Sequence, residues 1–382
     1  MVTTRTRDLI GMQAATLAQL IAAGECSSAE VVEAHIERIE AVNSALNAVV
    51  VQRFAAARAE AHAADRRRSR GEPLGPLHGV PVTVKEALDL AGTPSTAGLA
   101  TRAHMFMPAD APSVAALRAT GAVVLGKTNV AQLLIAFESD NPVYGKTSNP
   151  WNPDRTAGGS SGGEAAIIAA GGVPLGLGTD IAGSVRIPAA FCGITAFKPT
   201  NGRVPDSGTL SVPVGQQAIP SQVGVLARTV GDVALGMHAI NGAGSEFVVP
   251  LAAINPEQDL VGLRVAVYTD DGTFTVAPAA RRAVQETAEL LRARGARVSA
   301  WTPPNVPEAF ALWFGLTTAD GAHGMRRLVG RDPLVPSLRT LLQRMGTPRP
   351  LVRLLDTALR ASGQASSTML LRHVGRHDTD HY

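Results

Sequence analysis

The stretch VPLGLGTDIAGSVRIPAAFCG, Val173 to Gly193, decides the fold class. Val173, Leu175 and Leu177 lie among small residues in a short, uncharged run that reads as a buried strand ending near Asp180. Past that point come Ala182, Gly183 and Ser184, and then IPAAFC, which starts a helical turn. Two further strands can be read on its N-terminal side. HGVPVTVKEALDL alternates Val80, Val82 and Val84 and places Lys85 at a strand end, and GAVVLGKTN (Gly121 to Asn129) is a second apolar run. Helical stretches separate these strands, so the sequence predicts a mixed α/β fold. Its central sheet is mostly parallel and flanked by helices.

Working outward, Leu17, Leu20 and Ile21 predict a helix stopped by Gly24. Ser27-Ser28-Ala29-Glu30 offers a capping box that starts the next, carrying Val31, Val32, His35, Ile36 and Ile39. Phe54 to Arg70 is an Ala- and Arg-rich helix whose Arg66-Arg67-Arg68 run reads as a solvated face. NPVYGKTSNPWNP is loop, and Ser161 to Ala170 is a helix ended by Gly171-Gly172. Beyond Pro250, LRVAVYTDDG and ARVSAW are strands around an amphipathic helix over Ala279–Arg294. From Leu334 to Arg360, leucines alternate with arginines. That pattern fits a pair of helices packed on the body or on a second copy of the chain, and also a pair lying on an anionic membrane surface. The division read from these patterns is a core over 1–320 and a helical, cap-like region with an atypical tail over 321–382.

Composition narrows the function classes. The chain has 382 residues, 45% hydrophobic and 18% charged, with a net charge of +3. Disorder and coiled coil are excluded, and the charge is too small to argue for a nucleic-acid surface. Cys26 and Cys192 make neither a disulfide framework nor a zinc quartet, which predicts reduced thiols and a cytoplasmic setting. No secretory leader and no membrane-spanning run is read. Neither HExxH nor GxGxxG after a strand occurs, so no metal and no dinucleotide cofactor is expected. His373, His377 and His381 with Asp378 and Asp380 read as a polar tail rather than a metal clasp.

Three features carry chemistry. TAGGSSGGE, Thr156 to Glu164, sets Ser160 and Ser161 among four glycines, a backbone shape that side chains would obstruct. No G-K-[ST] follows, so it is not a Walker A loop. Gly158-x-Ser160-x-Gly162 also meets the nucleophile-elbow pattern, but the residues before it do not read as a strand. In GTDIAGSVRIP the turn around Ser184 can converge backbone N–H groups on one oxygen, as an oxyanion hole requires. Lys85, if buried, sheds its charge. Moving a lysine to neutrality takes roughly 3 units, about 4 kcal/mol, and makes it a competent base for a serine hydroxyl.

Taken together, HGVPVTVKE, AGGSSGGEAA and GLGTDIAGSVRIPAAFCG resemble the amidase signature family of Ser-Ser-Lys hydrolases. Lys85 stands 75 residues before Ser160, and Ser160 stands 24 before Ser184. NPWNPDRTAGGSSGGE and PLGLGTDIAGSVRIPAAFCGITAFKPT are similar to the fatty-acid-amide hydrolase branch. The likeness runs from Ala15 to Phe310 and more weakly to Leu371. It implies the amidase signature fold, no cofactor, and hydrolysis of a small-molecule amide, with a hydrophobic or fatty acyl chain, through an acyl-enzyme on Ser184. Ser160 would bridge, held by a cis peptide bond to Gly159, and Lys85 would be the base. Ile181, Ala182, Gly183 and Ser184 would offer the oxyanion N–H groups. Ser161, Thr179, Asp180 and Arg186 would support them, and Leu134, Ile135 and Phe137 would line the acyl pocket, although as bare sequence these three look core-like. An alternative within the same motifs is the amide-hydrolysing component of a tRNA-dependent amidotransferase.

Two departures from the family pattern give expectations of their own. Ala182 stands where the family has glycine, which predicts a reshaped hole and altered preference. Family members continue well past the point matching Leu371, whereas here the chain ends in RHVGRHDTDHY, which resembles nothing in the family. The expectation is an amidase signature fold lacking its C-terminal part, with uncovered sheet edge and apolar surface, and a truncated, weakly active or non-catalytic remnant as the rival from another class.

Overall fold

The computed structural model describes residues 4–210, 219–246, 248–252, 257–348 and 350–352. Ten strands occur among them: β1 Val49–Gln52, β2 Pro81–Lys85, β3 Val123–Thr128, β4 Asp140–Asn141, β5 Gly145–Lys146, β6 Leu175–Asp180, β7 Thr195–Phe197, β8 Gln222–Ala227, β9 Arg264–Val267 and β10 Arg297–Ala300. Six form the central sheet in the order β1-β3-β2-β6-β8-β7. β3, β2 and β6 are parallel neighbours, while β1, β8 and β7 pair antiparallel with theirs. Four of the six therefore run one way, giving the mixed, mostly parallel sheet expected from the sequence.

β2 and β6 are buried along their whole length. Alternation still sorts their side chains by face. Val82, Val84, Leu175 and Leu177 enter a core with Leu17, Ile21, Val114, Leu117, Val233 and Met237, from helices on one side of the sheet. The opposite face packs Val123 and Leu125 against Val32, Ile36, Ala57, Ala61, Ile167 and Ile168. On that second face β2 carries Thr83 and Lys85 instead of valine.

Local signals behave as the sequence predicts in the N-terminal part. Gly24 ends the Ala14–Ala23 helix in a left-handed conformation, φ 77°. The Ser28–Leu46 helix starts on a complete capping box, in which Ser27 Oγ accepts from Glu30 N–H at 3.0 Å and Glu30 accepts from Ser27 N–H at 2.8 Å. His35 is buried within it, and its Nδ1 lies 2.8 Å from Val31 O.

The chain divides into two compact units. One comprises residues 1–252 and 323–344, the other 253–322 and 345–382, whereas the sequence reading set one boundary near 320. The second unit contains parallel β9 and β10 and the Pro278–Ala293 helix. Of the two Leu/Arg helices, Pro336–Met345 forms, and its Leu338 and Leu342 are buried. The apolar side of this helix is thus turned inward, as in the packed reading. The second helix and the His373–His381 group fall outside the described residues. No described helix is long and apolar enough to cross a membrane.

Candidate active site

One strand end and two turns meet at the ends of β2 and β6. β2 delivers Lys85, the turn before the Gly162–Ala169 helix delivers Ser160, and the turn between β6 and the Arg186–Cys192 helix delivers Ser184. Lys85 and Ser160 are fully buried and Ser184 is 4% exposed. Lys85 Nζ lies 2.7 Å from Ser160 Oγ, 2.9 Å from Thr179 Oγ1 and 3.2 Å from Thr179 O. Burial pushes the amine down to about 7, against the opposing pull of Asp180, Asp206, Glu164 and Glu86. A lone pair on Lys85 is therefore available near neutral pH.

The Gly159–Ser160 peptide bond is cis. Gly158 holds φ 85°, with the Pro188 backbone 2.7 Å from where a Cβ would stand. Ser139 braces the turn from beneath. Its hydroxyl lies 3.1 Å from Gly158 O and 3.3 Å from Ser160 O, and accepts from Gly162 N–H at 2.8 Å. Ser161 N–H donates to Ser184 O at 3.1 Å, joining the two serine turns. Among the described residues Ser161 Oγ has no hydrogen-bond partner, and the contact Ser161 makes with the Ser184 turn is through its backbone.

Asp180 organises the turn around Ser184. Its carboxylate accepts from Gly183 N–H at 2.7 Å and Val185 N–H at 3.1 Å, and pairs in two places with Arg186, each at 2.9 Å. Burial raises its pKa, but the Arg186 guanidinium and these N–H groups outweigh that and hold it below the usual carboxylate value. Gly183 N–H, one of the expected oxyanion donors, is thus engaged with Asp180. The backbone also distinguishes Ala182 from its neighbour. Ala182 does not take a positive φ, whereas Gly183 does, at 116°, and a Cβ there would meet Ile187 Cδ1 at 2.6 Å. The position that needs glycine has kept it.

Ser160 and Ser184 line one cleft together with Leu134, Thr179 and Ile181, and Asp206, Leu210 and Ser221 complete it. The Ser160 hydroxyl accepts from Lys85, and no hydrogen bond links it to the Ser184 hydroxyl. Leu134 borders the cleft as expected, while Ile135 and Phe137 do not. Phe137 is 53% exposed, against its core-like appearance. The segment packs through its backbone instead: a Cβ on Gly159 would lie 2.6 Å from Ala136 O and 2.7 Å from Glu138 N.

Sequence reasoning missed Ser139, Glu86, Lys127 and Glu164. All four are buried around the site. Glu86 accepts from Thr96 N–H at 2.7 Å and Ala97 N–H at 3.0 Å. Lys127 reaches Pro94 O and, at 2.9 Å, Ser95 Oγ. The available signal was position: Glu86 follows Lys85, Lys127 is the penultimate residue of the neighbouring strand, and Glu164 closes the quoted GGSSGGE motif. Ser139 stands in loop sequence without periodicity.

A buried lysine thus touches Ser160, and Ser160 shares a cleft with Ser184 at the ends of the two middle strands of the sheet. The Amidase family profile matches residues 30–375, and the chain belongs to that family. It is 39% identical over 307 residues to an indoleacetamide hydrolase of Bradyrhizobium diazoefficiens, covering 79% of this chain and 58% of that protein. It is 36% identical over 318 residues to a glutamyl-tRNA(Gln) amidotransferase subunit of Roseiflexus castenholzii, covering 82% and 64%. Among solved structures, a fatty acid amide hydrolase superposes with a TM-score of 0.85 at 29% identity, covering 97% of this chain and 68% of that one. The chain thus spans about 60% of the length of the curated relatives it matches.

Proposed function

We propose that the protein hydrolyses a carboxylic amide through an acyl-enzyme on Ser184. The observation that carries this is the 2.7 Å approach of a buried amine, pushed down to about 7, to Ser160 Oγ. In the proposed sequence, neutral Lys85 takes the Ser160 proton while Ser160 takes that of Ser184, and Ser184 Oγ attacks the carbonyl carbon. The N–H groups of Ile181, Ala182 and Ser184 hold the oxyanion. As the C–N bond breaks, the Lys85 proton returns through Ser160 to the leaving amine. Water then attacks the ester with the same relay, releasing the acid and restoring Ser184.

The acyl half is proposed to be hydrophobic, because Leu134, Ile181 and Leu210 border the cleft. A second reading is glutamine as the ammonia source, in an amidotransferase-like assembly. Asp206 at the cleft favours it, since a carboxylate there suits an α-ammonium. The buried, unbridged Cys26 and Cys192 support a reducing, cytoplasmic setting.

A serine-reactive fluorophosphonate probe tests the chemistry. Labelling of wild type that disappears in Ser184→Ala is expected. An unlabelled, folded wild type would instead mark a non-catalytic protein. Turnover of amides of graded chain length, run beside glutamine, then separates the two substrate readings.

A further inference from the structure

Glu164 is a carboxyl that the relay above does not use. It is fully buried, four residues beyond Ser160 in the first turn of the Gly162–Ala169 helix. It accepts from the hydroxyl of Thr83 on β2 and, at 2.6 Å, from that of Thr128 on β3. Thr83 pairs with Gly176 on β6, and a Cβ on Gly176 would collide with Glu164 Oε1. The third strand is bare where the carboxyl enters. Thr83 and Lys85 are two residues apart on one strand, so their side chains leave the same face. The carboxyl is anchored one step back along the strand that presents the amine.

We infer that Glu164 is a positioning residue for Lys85. It ties β2 and β3 to the helix that follows the Ser160 turn, and its charge contributes, beside those of Asp180, Asp206 and Glu86, to the pH at which Lys85 gives up its proton. This rests on the proposed reading of Lys85 as the base.

An anion beside an ammonium stabilises the ammonium, so an ionised Glu164 makes Lys85 harder to deprotonate. Burial pushes the Glu164 carboxyl up to about 7, opposed by its Thr128 and Thr83 hydrogen bonds and by Lys85. The two groups then titrate as a pair. The other charges nearby are accounted for. Asp180, Asp206 and Glu86 also face Lys85 and raise its affinity for a proton. Arg186, on the helix after Ser184, is engaged with Asp180. Lys127 on β3 is held by Pro94 and Ser95 and faces Glu86 and Asp89. Arg38, from the Ser28–Leu46 helix, donates to Ala170 O beyond the far end of the Glu164 helix.

The test is the rate of fluorophosphonate labelling at Ser184 against pH, for wild type, Glu164→Gln and Thr128→Val. Glutamine keeps an acceptor for the threonines without the charge, so the acid limb should move down by about one pH unit, the effect of one neighbouring charge. It should also narrow to a single proton. Thr128→Val removes a donor to the carboxylate, keeps Glu164 protonated to higher pH, and should move the limb the same way by less. A folded Glu164→Gln protein with an unmoved limb overturns the inference and leaves the serine-lysine reading standing. If that variant does not fold, an unmoved limb in Thr128→Val overturns it equally. Wild type unlabelled at every pH removes the reading itself, and this inference with it.

Discussion

Replacing Lys85 with methionine should flatten the alkaline side of the stability profile. In the folded protein, burial lowers the amine from 10.5 to about 7, with Asp180, Asp206, Glu164 and Glu86 opposing but not cancelling the shift. In the unfolded chain the amine returns to its ordinary value. Between those two pH values the unfolded state binds more protons than the folded one, so stability rises with pH. Read downward, that contribution is lost as pH falls from 10.5 toward 7, and below 7 the buried site holds a full charge. Each unit of the window is worth about 1.4 kcal/mol per proton, so the whole interval amounts to about 5 kcal/mol. Between about pH 7.5 and 9.5, about 3 kcal/mol of it is accessible.

Methionine fills much the same linear volume and does not titrate. Urea unfolding of both proteins at about pH 7.5, 8.5 and 9.5 isolates the lysine, because the other groups titrate in both. The wild-type stability should gain about 3 kcal/mol on the variant across that series. Parallel curves would refute the reasoning. They would mean that Lys85 keeps its proton in the folded state to about pH 10, and such a lysine could not accept one from a serine at neutral pH.

Three other substitutions probe the frame around the relay. Asp180→Asn removes the charge that pairs with Arg186 and leaves one acceptor oxygen where the Gly183 and Val185 N–H groups now have two, so kcat should fall on the order of 10²-fold, with a smaller change in KM, in steady-state assays. Because the Asp180 pKa is lowered on folding, its stabilisation is present above the unfolded carboxylate value of 3.8 and is lost as pH falls through the folded value. The variant should accordingly show a shallower acid limb of stability in urea titrations. Gly183→Ala places a Cβ at φ 116° and 2.6 Å from Ile187 Cδ1, and should cost about 1–3 kcal/mol in chemical denaturation together with most of the acylation rate. Gly176→Ala drives a methyl into Glu164 Oε1 and should cost about 1–3 kcal/mol in urea unfolding, part of which Glu164→Ala in the same chain restores.

The parts legible in the sequence were those whose cause is local. Val80, Val82 and Val84 alternate, Gly24 closes a helix and Ser27 caps the next, and each of these is settled within about four residues of chain. The three motifs likewise announced their loops, because backbone turns of that kind restrict composition. β8 and β7 were not legible. QVGVLA and TAF are short, and their strand character comes from pairing with β6 and with each other, antiparallel partners tens of residues away. Phe137 misled because residue type reports what a side chain prefers, and this segment packs through its backbone against Gly159. Ser139 gave no signal at all. A single hydroxyl bracing a turn about 20 residues downstream leaves no periodic trace.

The smaller of the two departures noted in the sequence, alanine at 182, falls where the backbone does not require glycine. A methyl group penalises a backbone mainly where φ is positive, and Ala182 has no positive φ. The strain is concentrated one residue later, at Gly183, where the Asp180 carboxylate fixes the peptide through its N–H. That same bond engages Gly183 N–H, and Asp180 in turn is held by Arg186. Activity in this chain should accordingly be more sensitive to the Asp180–Arg186 pair than to the choice of glycine or alanine at 182. Ala182→Gly should leave kcat within about twofold, whereas Asp180→Asn should not.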